Sequence, residues 1–195
     1  MIQEADLLLV KRAQKGDADA FESLYNRHLK RIYNIAWRMM GSGADAEDIA
    51  QEVMLKAWRA LPAFKLDSAF GTWLYRIAMN ACCDELRRRK AKTVSVEEMH
   101  EAGRELETEG FEDRSVTQEG ISRAVGRLSE EYRAALVLRD IEGYSYEEIA
   151  DILRCPIGTV RSRINRAREQ MRNMLYASGT LRSAGASKAV ERGRT

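Results

Sequence analysis

Apolar positions recur with a helical period along most of the chain. In DADAFESLYNRHLKRIYNIAWRMM (17–40), Phe21, Leu24, Tyr25, Ile32, Ala36 and Met39 share one face, and Asp17 or Asp19 can cap the start. Gly41 and Gly43 interrupt the pattern. A second helix is predicted from about Asp45 to Leu61, with Ile49, Ala50, Val53 and Ala57 inward and Pro62 at its end. A third begins near Ser68, capped by Asp67 or Ser68, and runs to about Arg89. Phe70, Leu74, Ile77, Ala78 and Ala81 supply its buried side.

From Thr93 to roughly Arg114 the period fades and charge takes over, so TVSVEEMHEAGRELETEGFEDR reads as a flexible acidic connector. Helical spacing then returns. Ile121, Ala124, Val125 and Leu128 line one helix. Ser129 starts another, carrying Tyr132, Ala135, Leu136 and Ile141, which Gly143 terminates. A helix pair covers 145–175, and the small, polar tail is expected to be disordered. The predicted fold class is all-α: two small helical domains, 1–92 and 116–176, joined by the linker 93–115 and followed by the tail 177–195. Each domain is small enough that partner binding would add to its stability.

Composition narrows the function. The formal net charge of +2 hides a polarity: from Arg154 onward there are ten basic residues against two acidic ones, whereas 97–131 is rich in Glu. That asymmetry points to a polyanion-binding end. No apolar run approaches the ~20 residues of a membrane span, and MIQEADLLLVKRAQKGD lacks the pattern of a signal peptide. Three cysteines, two of them adjacent, make no disulfide framework, so a cytoplasmic location with reduced thiols is expected. Only His28 and His100 could act as histidine ligands or bases, in no metal-ligand spacing, and no phosphate-binding glycine loop is present. No catalytic residue, metal or cofactor is expected.

The stretch SYEEIADILRCPIGTVRSRINRAR (145–168) carries the sharpest signal. Ser145 and Glu148 fit a capping box, and Tyr146, Ile149, Ala150 and Leu153 follow on one stripe. Pro156 disfavours helical geometry at Cys155 and restarts the chain. Two short helices around a tight turn form a helix-turn-helix. In the second helix Val160, Ile164, Ala167 and Met171 face inward, which leaves Arg161, Ser162, Asn165 and Arg166 outward near its N-terminal end. There a recognition helix meets base edges, arginine suiting guanine and asparagine adenine. Thr159, Arg163 and Arg168 are better placed for phosphates.

Two further faces stand out in the first domain. Trp73, Arg76, Asn80 and Arg87 form a stripe ending in the basic run 87–90, chemistry suited to unstacked bases and their backbone. Spacing leaves Trp73 open to a core role as well. Asp48, Gln51, Glu52 and Leu55 make an acidic and amide stripe with an apolar end, either a plain solvated face or a dock for a basic protein helix. A site-specific recombinase would need a strand-rich catalytic half, and a two-domain regulator would leave both faces unexplained.

In this order, AEDIAQEVMLKAWRAL, FKLDSAFGTWLYRIAMN and GYSYEEIADILRCPIGTVRSRINRAR resemble a bacterial extracytoplasmic-function sigma factor over about residues 5 to 175. The resemblance implies binding to core RNA polymerase, through the β′ clamp helices and the β flap, and to promoter DNA. By position, Asp48, Gln51, Glu52 and Leu55 would meet the clamp helices. Phe64 to Phe70 would form a loop receiving a flipped −10 base, with Trp73, Tyr75, Arg76, Asn80 and Arg87 near the melted strand. Arg161, Ser162, Asn165 and Arg166 would read the −35 duplex. The resemblance also implies control by an anti-sigma factor, with no direct insertion of the chain into a membrane.

Overall fold

Asp17 ends the first turn of the fold and begins a long core helix. The computed structural model describes residues 4–98 and 118–178. Helix α1 spans Glu4–Ala13, and α2 spans Ala18–Met40 with the Asp17 carboxylate accepting the Ala20 N–H at 2.9 Å. Gly41, at φ 78°, closes α2 in the left-handed conformation that a side chain would resist. Ser42 then caps α3, Gly43–Ala60, two residues earlier than the spacing suggested. A short 3₁₀ turn at Leu61–Ala63 uses Pro62, and α4 runs Phe70–Glu98.

Helix α4 departs from expectation at both ends. It starts at Phe70, so Ser68 does not cap it; the Ser68 hydroxyl is buried without a hydrogen-bond partner. At the far end it continues through the first six residues of the expected linker. No glycine or proline interrupts 72–98, and Arg88 and Arg89 both pair with Glu85 one turn back. The rest of the acidic connector, His100 and most of the tail lie outside the described residues.

The second domain comprises α5 (Gln118–Gly126), α6 (Glu130–Leu136), a π-helical stretch at Val137–Ile141, α7 (Tyr146–Leu153) and α8 (Ile157–Ala177). Among the described residues the secondary structure is entirely helical. Leu24, Ile32, Ile35, Met39, Leu61, Leu74 and Met79 are fully buried in the first domain, and Leu138, Ile149, Ile152 and Ile164 in the second. Each such side chain contributes roughly 1.5–3 kcal/mol through burial. These residues belong to one continuous apolar cluster that crosses between the domains, while Val125, Leu128, Leu136 and Ala167 form a smaller one.

Helix α1 was not legible in the apolar pattern. Among its described side chains Asp6, Val10 and Ala13 are buried, and Leu9 packs half-buried against the core. Polar bonds hold it in place. Gln14 donates to the carbonyls of Leu61 (3.1 Å) and Phe64 (2.7 Å), and Arg27 pairs with Asp6 at 3.0 Å. Asp6 also lies 3.3 Å from His28 Nε2, while His28 Nδ1 meets the Tyr75 hydroxyl at 2.7 Å. A carboxylate can only accept, so Nε2 carries the proton and Nδ1 accepts from Tyr75. His28 thereby ties α1, α2 and α4 together. Gly71 makes room for it, since a Cβ there would stand 3.0 Å from the imidazole.

Burial holds the His28 pKa below its ordinary value, with Asp6 opposing the shift. On acidification the unfolded chain takes up this proton first, near pH ~6.5, and the folded chain only at lower pH. Stability from neutral His28 is therefore present above pH ~6.5 and lost as pH falls toward the folded pKa. Thermal melting should show Tm dropping between about pH 7 and 5, with a flatter slope in His28→Gln. An identical slope in the variant would exclude His28 as the source.

Candidate nucleic-acid interface

The helix-turn-helix is built by its caps. The Ser145 hydroxyl accepts the Glu148 N–H at 3.1 Å, and the Glu148 carboxylate accepts the Ser145 N–H at 2.8 Å. Both halves of the predicted box are present. Arg154 ends α7 at φ 49°, left-handed although it is no glycine, and Pro156 at φ −57° opens α8. Ser145→Ala should lower stability by about 0.5–2 kcal/mol, measured by urea denaturation, and weaken duplex binding only through that loss.

Val160, Ile164 and Ala167 are buried, and Met171 is half-buried beside the smaller apolar cluster. Arg161, Ser162, Asn165 and Arg166 are all exposed, as the spacing required. The Ser162 hydroxyl donates to the Thr159 carbonyl at 2.9 Å, and the Arg161 guanidinium lies 5.8 Å from the Tyr146 ring centre. The three residues expected at phosphates are more constrained. Thr159 is half-buried, Arg163 pairs with Glu131 at 2.7 Å, and Arg168 makes a two-point contact with Asp140 at 2.9 and 2.5 Å. Surface pairs of this kind contribute about 0–1 kcal/mol, so a phosphate can replace the carboxylate.

On α4 the aromatic residues divide. Trp73 is half-buried and stacks on Phe64 with ring centres 4.8 Å apart, and Phe70 lies 5.5 Å away. Phe64, Phe70 and Tyr75 are buried, so in this arrangement they offer no open ring face to a base. A small helical core draws in its few large rings because they bring the most apolar area. Phe64 and Phe70 instead pack against Trp73, while Tyr75 packs against His28 and Tyr144; in the loop 64–69 Leu66 sits at φ 59°. A left-handed leucine is strained, and such strain persists where packing fixes a loop.

Asn80 is exposed, Arg76 donates to the Asp151 carbonyl at 3.1 Å, and Arg87 contacts Asp84 and Glu130, each at 3.3 Å. The basic run is further tied down by Arg89, which grips the Asp45 carboxylate at 2.6 and 2.9 Å and so lowers that acid's pKa. Sequence reasoning missed Lys56 and Arg59. Packing of α3 against α4 brings them to a groove of about 500 Å³ shared with Ile77, Asn80 and Asp84. Their positive charge was visible, but only tertiary structure shows which residues stand opposite.

The α3 face is open. Asp48, Gln51, Glu52 and Leu55 are all exposed, Leu55 at 50%, and Glu52 pairs with Lys56 at 2.6 Å. Beside it α2 and α3 enclose a groove of about 970 Å³ lined by Phe21, Tyr25, Leu29, Tyr33, Ala50 and Met54. The contribution of α2, with Leu29 39% exposed, was not anticipated. Burial raises the thiol pKa of Cys82 to about 12 and of Cys83 to about 11. Among the described residues no group of three His, Cys, Asp or Glu side chains could hold a metal ion, and no helix is long and apolar enough to cross a membrane.

Comparison with known proteins agrees with this geometry. Residues 24–92 match Sigma-70 region 2, and residues 118–171 match Sigma-70 region 4, which sets the class as a sigma-70-type transcription factor. The RNA polymerase sigma-H factor of Pseudomonas aeruginosa is 41% identical over 87% of this chain and 93% of its own length. The ECF RNA polymerase sigma-E factor of Escherichia coli K12 is 42% identical over 88% and 94%. Two solved structures share the fold. The sigma factor RpoE bound to the anti-sigma factor NepR from Bartonella quintana has a TM-score of 0.62 at 26% identity, covering 80% of this chain and 96% of that one. CnrH bound to the cytosolic domain of CnrY has a TM-score of 0.64 at 29% identity, covering 89% and 99%. The chain belongs to the extracytoplasmic-function sigma factors.

Proposed function

We propose that this sigma factor joins core RNA polymerase through the α3 face, reads duplex −35 DNA with α8, and holds the melted −10 strand along α4. What carries the reading is three chemically distinct faces on one chain: an acidic and apolar one, a mixed aromatic and basic one, and a recognition helix led by a capped helix. Asp48, Gln51, Glu52 and Leu55 suit a basic protein helix, here the β′ clamp helices, while the β flap is expected to hold the second domain. Arg161, Ser162, Asn165 and Arg166 suit base edges, with Thr159, Arg163 and Arg168 on phosphates.

Along α4, Trp73, Arg76, Asn80 and Arg87 serve the strand, and Lys56 and Arg59 extend its basic wall. Phe64 and Phe70 act from beneath Trp73, by shaping the loop 64–69 that receives an unstacked base, and Tyr75 acts by fixing α4 through His28. Extruding a base costs a few kcal/mol, which contacts from the loop and Trp73 offset. The chain itself carries out no reaction; it works where polymerase and chromosome are, in the cytoplasm, under an anti-sigma factor of the kind bound by RpoE.

Run-off transcription with purified core polymerase on fragmented host DNA tests the proposal. Discrete new start sites with a shared pair of upstream elements are expected when the chain is added. Footprints by the chain alone without initiation would make it an ordinary DNA-binding regulator and return Trp73 to a purely structural role.

A further inference from the structure

The turn between α1 and α2 reaches across to the loop assigned to an unstacked base. Gln14 lies just past the end of α1, and its side-chain amide nitrogen donates to two carbonyls, Leu61 at 3.1 Å and Phe64 at 2.7 Å. Both partners can only accept, so the nitrogen of the amide must face them, and both of its protons are used. The two carbonyls bracket the 3₁₀ turn Leu61–Ala63, which the Phe64 N–H closes on the Leu61 carbonyl at 3.0 Å.

Phe64 is the residue at which that turn gives way to the loop. Its backbone is extended, φ −71° and ψ 117°, and the direction of its carbonyl sets the plane of the peptide leading into Lys65 and Leu66. The bond from Gln14 therefore fixes the entry of the loop 64–69, and with it the Phe64 ring, which stacks on Trp73 at an interplanar angle of 28°. The far end of the loop is held less firmly. There the Ser68 hydroxyl is buried with no hydrogen-bond partner, and Leu66 between them is left-handed. A loop in such a conformation depends on its surroundings to keep it.

Gln14 itself stands on a rigid support. Its N–H donates to the Val10 carbonyl at 2.8 Å, Gly16 turns the chain at φ 93°, and Arg12 pairs with Asp17 across the turn at 2.7 Å. Helix α1 has other anchors as well: Asp6 against Arg27 and His28, and the buried Val10 and Ala13. Removing the Gln14 amide thus leaves α1 in place and frees the loop.

We propose that Gln14 is a positioning residue for base capture: without touching DNA, it holds the Phe64 end of the loop in the shape that receives an unstacked base beside Trp73. This rests on the assignment of the loop 64–69 to that base. A loop already in its receptive shape binds more tightly because the ordering cost is met before the base arrives.

Gln14→Met and Gln14→Glu test this in holoenzyme reconstituted with core polymerase. Methionine keeps the length of the side chain and removes both donors, whereas glutamate keeps its shape and sets a carboxylate against two carbonyls. The probe is a fork taken from a promoter mapped by the run-off experiment, duplex through the −35 element and single-stranded across −10. It is used intact and with one abasic sugar at the −10 position whose base wild type needs most. Holoenzyme affinity for both forks is measured, with circular dichroism of each free variant.

Both variants should bind the intact fork roughly tenfold more weakly than wild type, as when the receptive loop falls to about a tenth of the population, and the abasic fork within about twofold of wild type. The abasic fork is spared because it offers the loop no base. Equal losses on the two forks would mark a general structural defect and overturn the positioning role. Unfolding of both variants would do the same, by making Gln14 a support of the fold; if only Gln14→Glu unfolds, Gln14→Met decides. Wild-type affinity of a folded variant on the intact fork would show that the loop holds itself, which also overturns the proposal. A wild-type holoenzyme indifferent to an abasic sugar at every −10 position would overturn the loop assignment and the inference with it.

Discussion

Reversing Asp48 and Glu52 to arginine should leave the helices intact and remove the chain from core RNA polymerase. Both side chains are exposed on α3, away from the buried Ile49, Ala50 and Val53, so neither contributes to the core. Glu52 has one local partner, Lys56, and that exposed pair adds little to stability. The proposed contact is with a basic helix. Two arginines facing it would turn attraction into like-charge juxtaposition, which costs several kcal/mol across an interface. At about 1.4 kcal/mol per tenfold, affinity should fall by roughly 100-fold or more. Gel filtration with core enzyme and circular dichroism of the free variant check the two halves of the expectation. Co-elution as strong as wild type, with an unchanged spectrum, would move the polymerase contact elsewhere, and the apolar groove between α2 and α3 would be the next place to look.

Asp48, Gln51, Glu52 and Leu55 lie on α3, whereas the second domain contacts α2 and α4 through Arg31, Arg76 and Arg87.

How much of this was legible depended on the range of the interactions. The faces of α2, α3 and α8 were, because each buries one stripe, and a stripe is a property of a single segment: Phe21 to Met39, Ile49 to Ala57, Val160 to Ala167. The cap at Ser145 was legible for the same reason. Helix α1 was not, since Leu9, Val10, Ala13 and a buried aspartate make no recognisable period. The roles of the aromatic residues were only half legible. Spacing places Trp73 and Tyr75 on α4 but does not reveal that Phe64 and Phe70 cover one and Tyr144 the other. Least legible was the contact between domains. Arg31 and Glu142 are 111 residues apart, Arg133 and Met39 are 94 apart, and in sequence the three charged residues look like ordinary surface groups.

Replacing Arg161 by alanine should erase preference at one promoter position while leaving the rest of −35 recognition in place. Its guanidinium is exposed near the N-terminal end of α8, where a recognition helix meets bases, and its closest partner is a ring rather than a carboxylate. Losing a base-reading arginine costs about 1–3 kcal/mol against the preferred base pair, or roughly 5- to 150-fold in affinity, with little change on random duplex. Arg168→Ala should behave differently. That arginine is bound at two points by Asp140, so its removal would take away the proposed phosphate contact and also leave Asp140 without this partner beside the proposed duplex surface. Affinity should fall alike on cognate and random duplex, and the salt slope should flatten by about one unit. Asp140→Asn in the same chain should recover part of that loss, since it removes the bare charge but not the missing contact. Duplex binding measured at several salt concentrations separates the two roles. Equal losses on cognate and random DNA in Arg161→Ala would place that residue on the backbone and leave Ser162, Asn165 and Arg166 to account for sequence preference.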